Sequence, residues 1–449
     1  MLEKIEQKLK KIGNGEVYSS VLCETEKINF NALTNYAKRN KIKTFFWAKP
    51  SESFVFLALG KTILLPENSA ELPDKITELQ NSFAFDYDYS KTKIPLVVGG
   101  VKFNNGENSV WQDFRFNDWF VPRFVFLKSE EKFCIVVNAS PNESVANLLA
   151  ELSPLLAASH EAESGFGSHS FVPGLEFQSE IDEDEWNEKI EKALALIEQN
   201  VVSKIVISRY VHNKLTNDVS YYSLLSRLAE NFPFCTVFGY QSKNSFFFGA
   251  TPETLFSVNH SELETDALAG SISRGKTIYE DENLANELLS SDKNLREHKK
   301  VVEFIIARLE KHAQTIVYQD TPKIRKLRNI QHLWTPIKAH LKEDANLLSL
   351  LYDLHPTPAV CGSPKETAFE KIYEIENFER GLFTGVVGWF NFGNIGDFSV
   401  AIRSALIKNN SLYAYAGCGI VRGSDAKDEF NETRLKLKPI LSLFEENEY

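Results

Sequence analysis

The sequence predicts an α+β protein built on large antiparallel sheets, and three observations carry that reading. Strand–turn–strand patterns outnumber strand–helix–strand units. The apolar residues are weighted to aromatics, with 33 Phe against one Met, which suits broad sheets packed face to face or beneath helices. Clear helical periodicity is confined to separate stretches between the strand runs.

The elements follow in chain order. TFFWAKPSESFVFLALG (44–60) holds two aromatic alternating runs around a Pro-Ser turn, a hairpin pattern. PLVVGGVKFNNG and FRFNDWFVPRFVFLKSEEKFCIVV add further strands separated by Gly, Asn and Glu-Lys turns. The polar segment 159–174 reads as a linker. IDEDEWNEKIEKALALIEQN is a helix, capped by Asp182 with Glu185 three residues on and striped by Trp186, Ile190, Leu194 and Ile197. After strand KIVISRYV, the run FCTVFGYQSKNSFFFGATPE repeats the aromatic hairpin pattern of 44–60, a hint of duplicated architecture. Residues 281–312 are mostly helical, with apolar positions covering so much of the circumference that the second half reads as a buried helix. Sheet returns over 382–421, and SDAKDEFNETRLKLKPIL is a helix that ends or kinks at Pro439.

Composition narrows the function classes. A chain of 449 residues can form one very large domain or two to four ordinary ones. The net charge of −11 disfavours nonspecific binding to nucleic acid or an anionic membrane, so cations that hold an anionic ligand must be local. The start, MLEKIEQKLKKIG, lacks the apolar core of a signal peptide, and no run is apolar enough to span a membrane. Five scattered cysteines without a CxxC pair suit a reducing cytoplasm.

Charged residues in apolar surroundings mark the candidate site. Lys204 opens KIVISRY and shares a face with Val206 and Ser208, with Arg209 on the other. Read alone it is a sheet-end lysine reaching to water. As a base it needs a partly desolvated site or a nearby cation, because a lysine titrating near its usual value of about 10.4 is protonated at neutral pH. Glu253, in FFFGATPETLF, follows a proline at a strand exit. It is either an exposed turn acid or, if desolvated, a carboxyl held protonated for donation. Glu297 lies on the helix that begins at Ser291 or Asp292; its neighbour His298 does not make a zinc motif, because HExxH is absent. Glu429, Glu432 and Lys436 share one helix face, as ordinary salt bridging also requires. Two isolated glutamates from separate helices could hold Mg²⁺, which accepts few protein carboxylates. The Gly-rich turns ALAGSISRG and YAGCGIV are not nucleotide loops, but they let backbone N–H groups approach an anion.

Taken in order, KIVISR, GATPETLF, ALAGSISRG, SDKNLREH, NIQHLWTPI, LHPTPAVCGSPKE, GLFTGVVGWF, VAIRSALI, YAGCGIV and DEFNETRLK resemble the chorismate-using enzymes, the family of isochorismate, salicylate, anthranilate and aminodeoxychorismate synthases. The resemblance covers residues 200–440, and PLVVGGVKF and FVPRF extend it into the less regular part, 1–170. It implies one large domain over 1–449, two antiparallel sheets stacked in the middle and flanked by helices, with the motifs in 180–445 and 159–174 as an internal loop. It implies Lys204 as the base that activates water for attack at C2 of chorismate, and Glu253 as the acid that protonates the leaving C4 hydroxyl. By the same resemblance Glu297 and Glu432 bind Mg²⁺, and Gly270, His332, Arg403, Gly417 and Lys436 line the substrate.

Two positions separate the branches. The anthranilate synthases resemble this chain but carry glutamine at the position of Lys204, and the aminodeoxychorismate synthases carry lysine at the position of Ala269. Lys204 with Ala269 reads as a water-adding enzyme, an isochorismate synthase with no need of an amidotransferase subunit. A salicylate synthase, which would go on to eliminate pyruvate, is the alternative; an amination-branch component and a non-catalytic chorismate-binding protein stand behind it.

Overall fold

The alternating aromatic runs pair as the sequence predicts. The structure is a computed structural model that describes residues 1–12, 17–104, 106, 110–161, 174–327 and 330–445. Of the segment 159–174, residues 162–173 lie outside the described residues. Thr44–Lys49 and Phe54–Leu59 form the first hairpin, and Thr236–Ser242 with Ser245–Thr251 the second. The two hairpins sit side by side, Val237 opposite Ala48 and Gly239 opposite Phe46, so the repeated pattern becomes four consecutive strands of one sheet.

That sheet has 13 strands among the described residues, and a second has 10. Pairing is antiparallel except where Tyr18–Thr25 meets Phe83–Phe85. Strands between residues 18 and 139 enter both sheets. Lys204–Leu215 pairs with Ser411–Ile420 in the larger sheet, Ser208 opposite Gly417. Glu262–Ser273 pairs with Ile330–Leu341 in the smaller one, with a register shift between Ala269 and Ser271.

Period-two alternation explains the three phenylalanines of FFFGATPETLF. Phe247 points between the sheets into a core shared with Phe45, Trp47, Val98, Val387 and Trp389. Phe246 and Phe248 point the other way, under the helices that cover the larger sheet, where Phe246 stacks on Tyr221 at 3.9 Å between ring centroids. Both sheets therefore bury both faces over much of their area, which is why the strands read as aromatic nearly throughout.

The helices show one correction. Glu183–Glu198 forms with the Asp182 side chain accepting from the Glu185 N–H, as its sequence requires; Trp186, Ile190 and Ile197 are buried and Leu194 half-buried. The region 281–312 splits into Ile278–Ser290 and Asp292–Leu309, because Ser291 ends one helix and caps the next. The second of these is not buried all round. His298, Val301, Ile305 and Leu309 form its buried stripe, while Val302, Phe304 and Ile306 are half-buried and Glu303 is exposed. One packed face leaves the other to water. The last helix, Ala426–Leu441, runs through Pro439 and does not stop at it.

Replacing Phe247 by Ala removes a ring that contacts Trp111 and Phe238 at 5.1 and 5.3 Å between centroids. Denaturant titration of that variant is expected to show a loss of about 3–5 kcal/mol, the usual cost of emptying a buried aromatic site.

Candidate active site

Nine residues singled out in the sequence line one cleft: Lys204, Glu253, Gly270, Glu297, His332, Arg403, Gly417, Glu432 and Lys436. The cleft draws on both sheets and on the helices Asp292–Leu309 and Ala426–Leu441. Together with the open space at its mouth, its empty volume is about 900 Å³.

Each side chain is placed by its element. Lys204 begins a central strand with its side chain 1% exposed, and Nζ donates to Glu297 Oε1 at 2.7 Å. The alternate face of that strand carries Ile205 and Ile207 into a helix-covered core and Arg209 to a bond with Thr433 Oγ1. Glu253 stands in the two-residue step between Ser245–Thr251 and Thr254–Asn259. It is buried, and burial pushes its carboxyl up to about 7 against the opposing pull of Lys204, Arg403 and Lys436. The reading of an exposed turn acid is therefore excluded. This carboxyl is half protonated near neutrality.

Gly270 forms the bulge in its strand with φ of +79°, a left-handed turn that glycine makes without strain. His332 is buried opposite that bulge, its Nδ1 2.8 Å from Ser271 Oγ. Burial, with Arg403 and Lys436 nearby, holds it well below its ordinary value, so the ring is neutral. Burial also lowers Arg403, to about 10, which leaves it charged at neutral pH. Lys436 donates to Gly417 O at 2.9 Å and pairs with Glu432 Oε1 at 2.6 Å.

Four contributors escaped the sequence reading as site residues. Lys293 reaches Glu429 Oε1 at 3.4 Å, and Asn294 lies against the Gly270 bulge. Glu429 was visible on the face of Glu432 and Lys436, but its burial in the cleft depends on tertiary packing. Gly419 is the fourth: a Cβ there would stand 2.7 Å from Lys204 Cε and 2.9 Å from Glu297 Oε1, so a side chain at 419 would force that ion pair to shift. Its signal was the glycine-rich run YAGCGIV. His298 belongs elsewhere; its Nδ1 lies 3.2 Å from Ala269 O and its Nε2 2.8 Å from Thr335 Oγ1, tying its helix to two strands of the smaller sheet.

A buried lysine, a carboxyl poised near neutrality, and an arginine among paired lysines and glutamates define an acid–base enzyme for a small anionic substrate. The chain belongs to the chorismate binding enzyme family, which it matches over residues 3–445. It is 32% identical over 445 residues to the isochorismate synthase MenF of Bacillus subtilis, covering 96% of this chain and 94% of the relative. To the salicylate biosynthesis isochorismate synthase of Pseudomonas aeruginosa it is 30% identical over 396 residues, covering 87% and 83%. The fold matches that of MenF, the menaquinone-specific isochorismate synthase from Escherichia coli, with a TM-score of 0.81 over 99% of each chain at 23% identity.

The raised Glu253 carboxyl has a stability consequence. A folded-state value near 7 against about 4.5 unfolded means that the protonated form favours folding and that this contribution is lost as pH rises through 7. Glu253→Gln is expected to raise the urea midpoint relative to the parent at pH 8 and to change it little at pH 5.

Proposed function

We propose that this chain is an isochorismate synthase that converts chorismate reversibly to isochorismate. Residues 1–449 act as one chorismate-binding unit, with 180–445 carrying the chemistry. The observation that carries the reading is the presence, in one cleft, of a buried Lys204 and a buried Glu253 whose carboxyl is pushed up to about 7.

In the forward direction Lys204, as the free amine, takes a proton from water as its oxygen adds to C2. The ring double bonds shift, and Glu253 protonates the C4 hydroxyl as it departs as water. One water enters and one leaves, so mass is unchanged, and the two proton transfers run in opposite directions on return. Arg403 suits a carboxylate of the dianionic substrate because its guanidinium can engage both oxygens. Lys436 adds a second cation, and neutral His332 offers a ring nitrogen without adding charge.

The cleft also fits a magnesium ion. Glu297 faces Glu432 and Glu429 from a separate helix, and burial together with Glu432 holds the Glu429 carboxyl above its usual range, a repulsion that a dication would relieve. Among the described residues no three His, Cys, Asp or Glu side chains already form a metal cage. Mg²⁺ asks for only one or two, filling the rest of its shell with water and substrate oxygens. Glu297 and Glu432, with Glu429 beside them, would hold it, and it would supply positive charge to a substrate carboxylate.

Because water is the nucleophile, no ammonia-supplying subunit is required. Among the described residues no helix is long and apolar enough to cross a membrane, and the cysteine pattern supports placement in the cytoplasm. Relatives named as menaquinone-specific and as vibriobactin-specific isochorismate synthases share this reaction.

The test is purified protein with chorismate, with and without Mg²⁺ and ammonium, products separated and weighed. A Mg²⁺-dependent isomer of unchanged mass supports the reading; salicylate with pyruvate moves it to the lyase branch, and an ammonium-dependent product overturns it. Lys204→Ala and Glu253→Gln are each expected to lower kcat by about 10²–10⁴-fold, with folding checked by circular dichroism. A pH profile of the forward kcat/KM is expected to fall on the alkaline side with an apparent pKa about 7, where Glu253 loses its proton.

A further inference from the structure

Three carboxylates of the cleft are each matched to a lysine, but the three pairs are not equivalent. Lys204–Glu297 stands at 2.7 Å with the lysine side chain 1% exposed, and Lys436–Glu432 at 2.6 Å with the lysine 14% exposed and also bonded to Gly417 O. Both lysines are locked by packing. Lys293 differs. Its amine is 3.4 Å from Glu429 Oε1, its side chain is 41% exposed, and Glu429 beneath it is only 7% exposed. Lys293 therefore closes the cleft mouth from the first turn of its helix, where Ser291 is the cap. Its charge acts on Glu432 as well as Glu429.

We propose that Lys293 is a displaceable placeholder cation, which occupies the outer carboxylates while no metal is bound and must swing out when a divalent cation arrives. This rests on the magnesium reading of the cleft. Two physical facts support it. Glu429 and Glu432 lie one turn apart on a buried helix face, and two such carboxylates repel unless a positive charge sits between them. An unbranched, half-exposed lysine can move its head into water while its stem stays packed, at small cost. A dication and this ammonium cannot share the space, so lysine and metal compete. Competition, not ligation, is the role assigned to Lys293. It is a positioning residue that tunes metal affinity and prevents the empty site from carrying uncompensated charge.

The test is calorimetric titration of MgCl₂ into the full-length protein without chorismate, at fixed pH and ionic strength. Lys293→Ala is expected to tighten Mg²⁺ binding about two- to fivefold, the scale of a half-exposed ion pair. Lys293→Arg keeps the competing charge and is expected to bind as the parent does. In a Glu429→Gln background the gain from Lys293→Ala is expected to shrink, since the partner is gone. Unchanged or weaker binding in Lys293→Ala overturns the proposal, as does absence of Mg²⁺ binding in both parent and variant. Binding by the variant alone supports it. Turnover that proves independent of Mg²⁺ would instead remove the magnesium reading itself, and the two failures are thereby told apart.

Discussion

The cleft depends on one ion pair that never touches its contents. Glu376 ends the helix Lys365–Glu376, Arg380 follows four residues on in the segment beyond it, and both side chains are fully buried. Glu376 Oε1 accepts the Ser208 N–H at 2.6 Å, and Arg380 donates to Val206 O and Val360 O, each at 2.8 Å. It also reaches Thr384 Oγ1 at 3.3 Å, and the Phe103 ring packs on the guanidinium at 4.5 Å. The pair thus joins the strand that bears Lys204, the loop after His355, and the turn that presents Phe383 and Thr384. Val206, Val360, Phe383 and Thr384 all line the cleft. Two charges taken this far from water cost several kcal/mol each, which their attraction and the added hydrogen bonds must offset. Such a pair is weak evidence of stability. What it does is tie these three segments to one another by hydrogen bonds.

A second consequence is electrostatic. A chain with net charge −11 holds an anionic substrate only by concentrating cations where water is excluded. Arg403 and Lys436 line the cleft as such cations, and Lys204, Lys293 and Lys436 are each set against a glutamate. Glu253 is governed by burial, which pushes its carboxyl up to about 7 against the pull of Lys204, Arg403 and Lys436. The site separates its carboxyl groups by environment: Lys436 and Arg403 hold Glu432 below its usual range, while burial raises Glu253.

Much of this was legible in the sequence, for identifiable reasons. The hairpins at 44–60 and 235–251 and the capped helix at 183 follow from local periodicity and turn chemistry, and the structure keeps them. The face shared by Lys204 and Val206 follows from strand alternation alone. Lys293 was not legible, because what defines it is a contact between two helices from distant parts of the chain; Gly419 lay in the glycine-rich run YAGCGIV, but its place beside the Lys204–Glu297 pair depends on a strand meeting a distant helix. Glu429 carried a pattern equally consistent with a solvated salt-bridge face. The helix at 292–309 misled for the opposite reason: its apolar residues are numerous, but only a stripe of them meets the smaller sheet.

The stretch FFFGATPETLF shows how backbone constraint and chemistry coincide. Thr251 Oγ1 donates to Val400 O at 2.7 Å, and the Val400 N–H donates to Glu253 O at 3.0 Å, so the acid is fastened on both sides to the segment leading to Arg403. The Ala250 N–H donates to Arg403 O at 3.2 Å, and a Cβ at Gly249 would stand 2.6 Å from that same oxygen. Glycine at 249 is what permits the approach, and Arg403 takes a left-handed φ of +51° to complete it, a conformation that costs a non-glycine residue about 1 kcal/mol or more. Acid and guanidinium are therefore carried on two chain segments bonded to one another through their main chains. Neither can shift without moving the other. The separation on which a raised carboxyl and a retained positive charge both depend is fixed by hydrogen bonds that no ligand has to make.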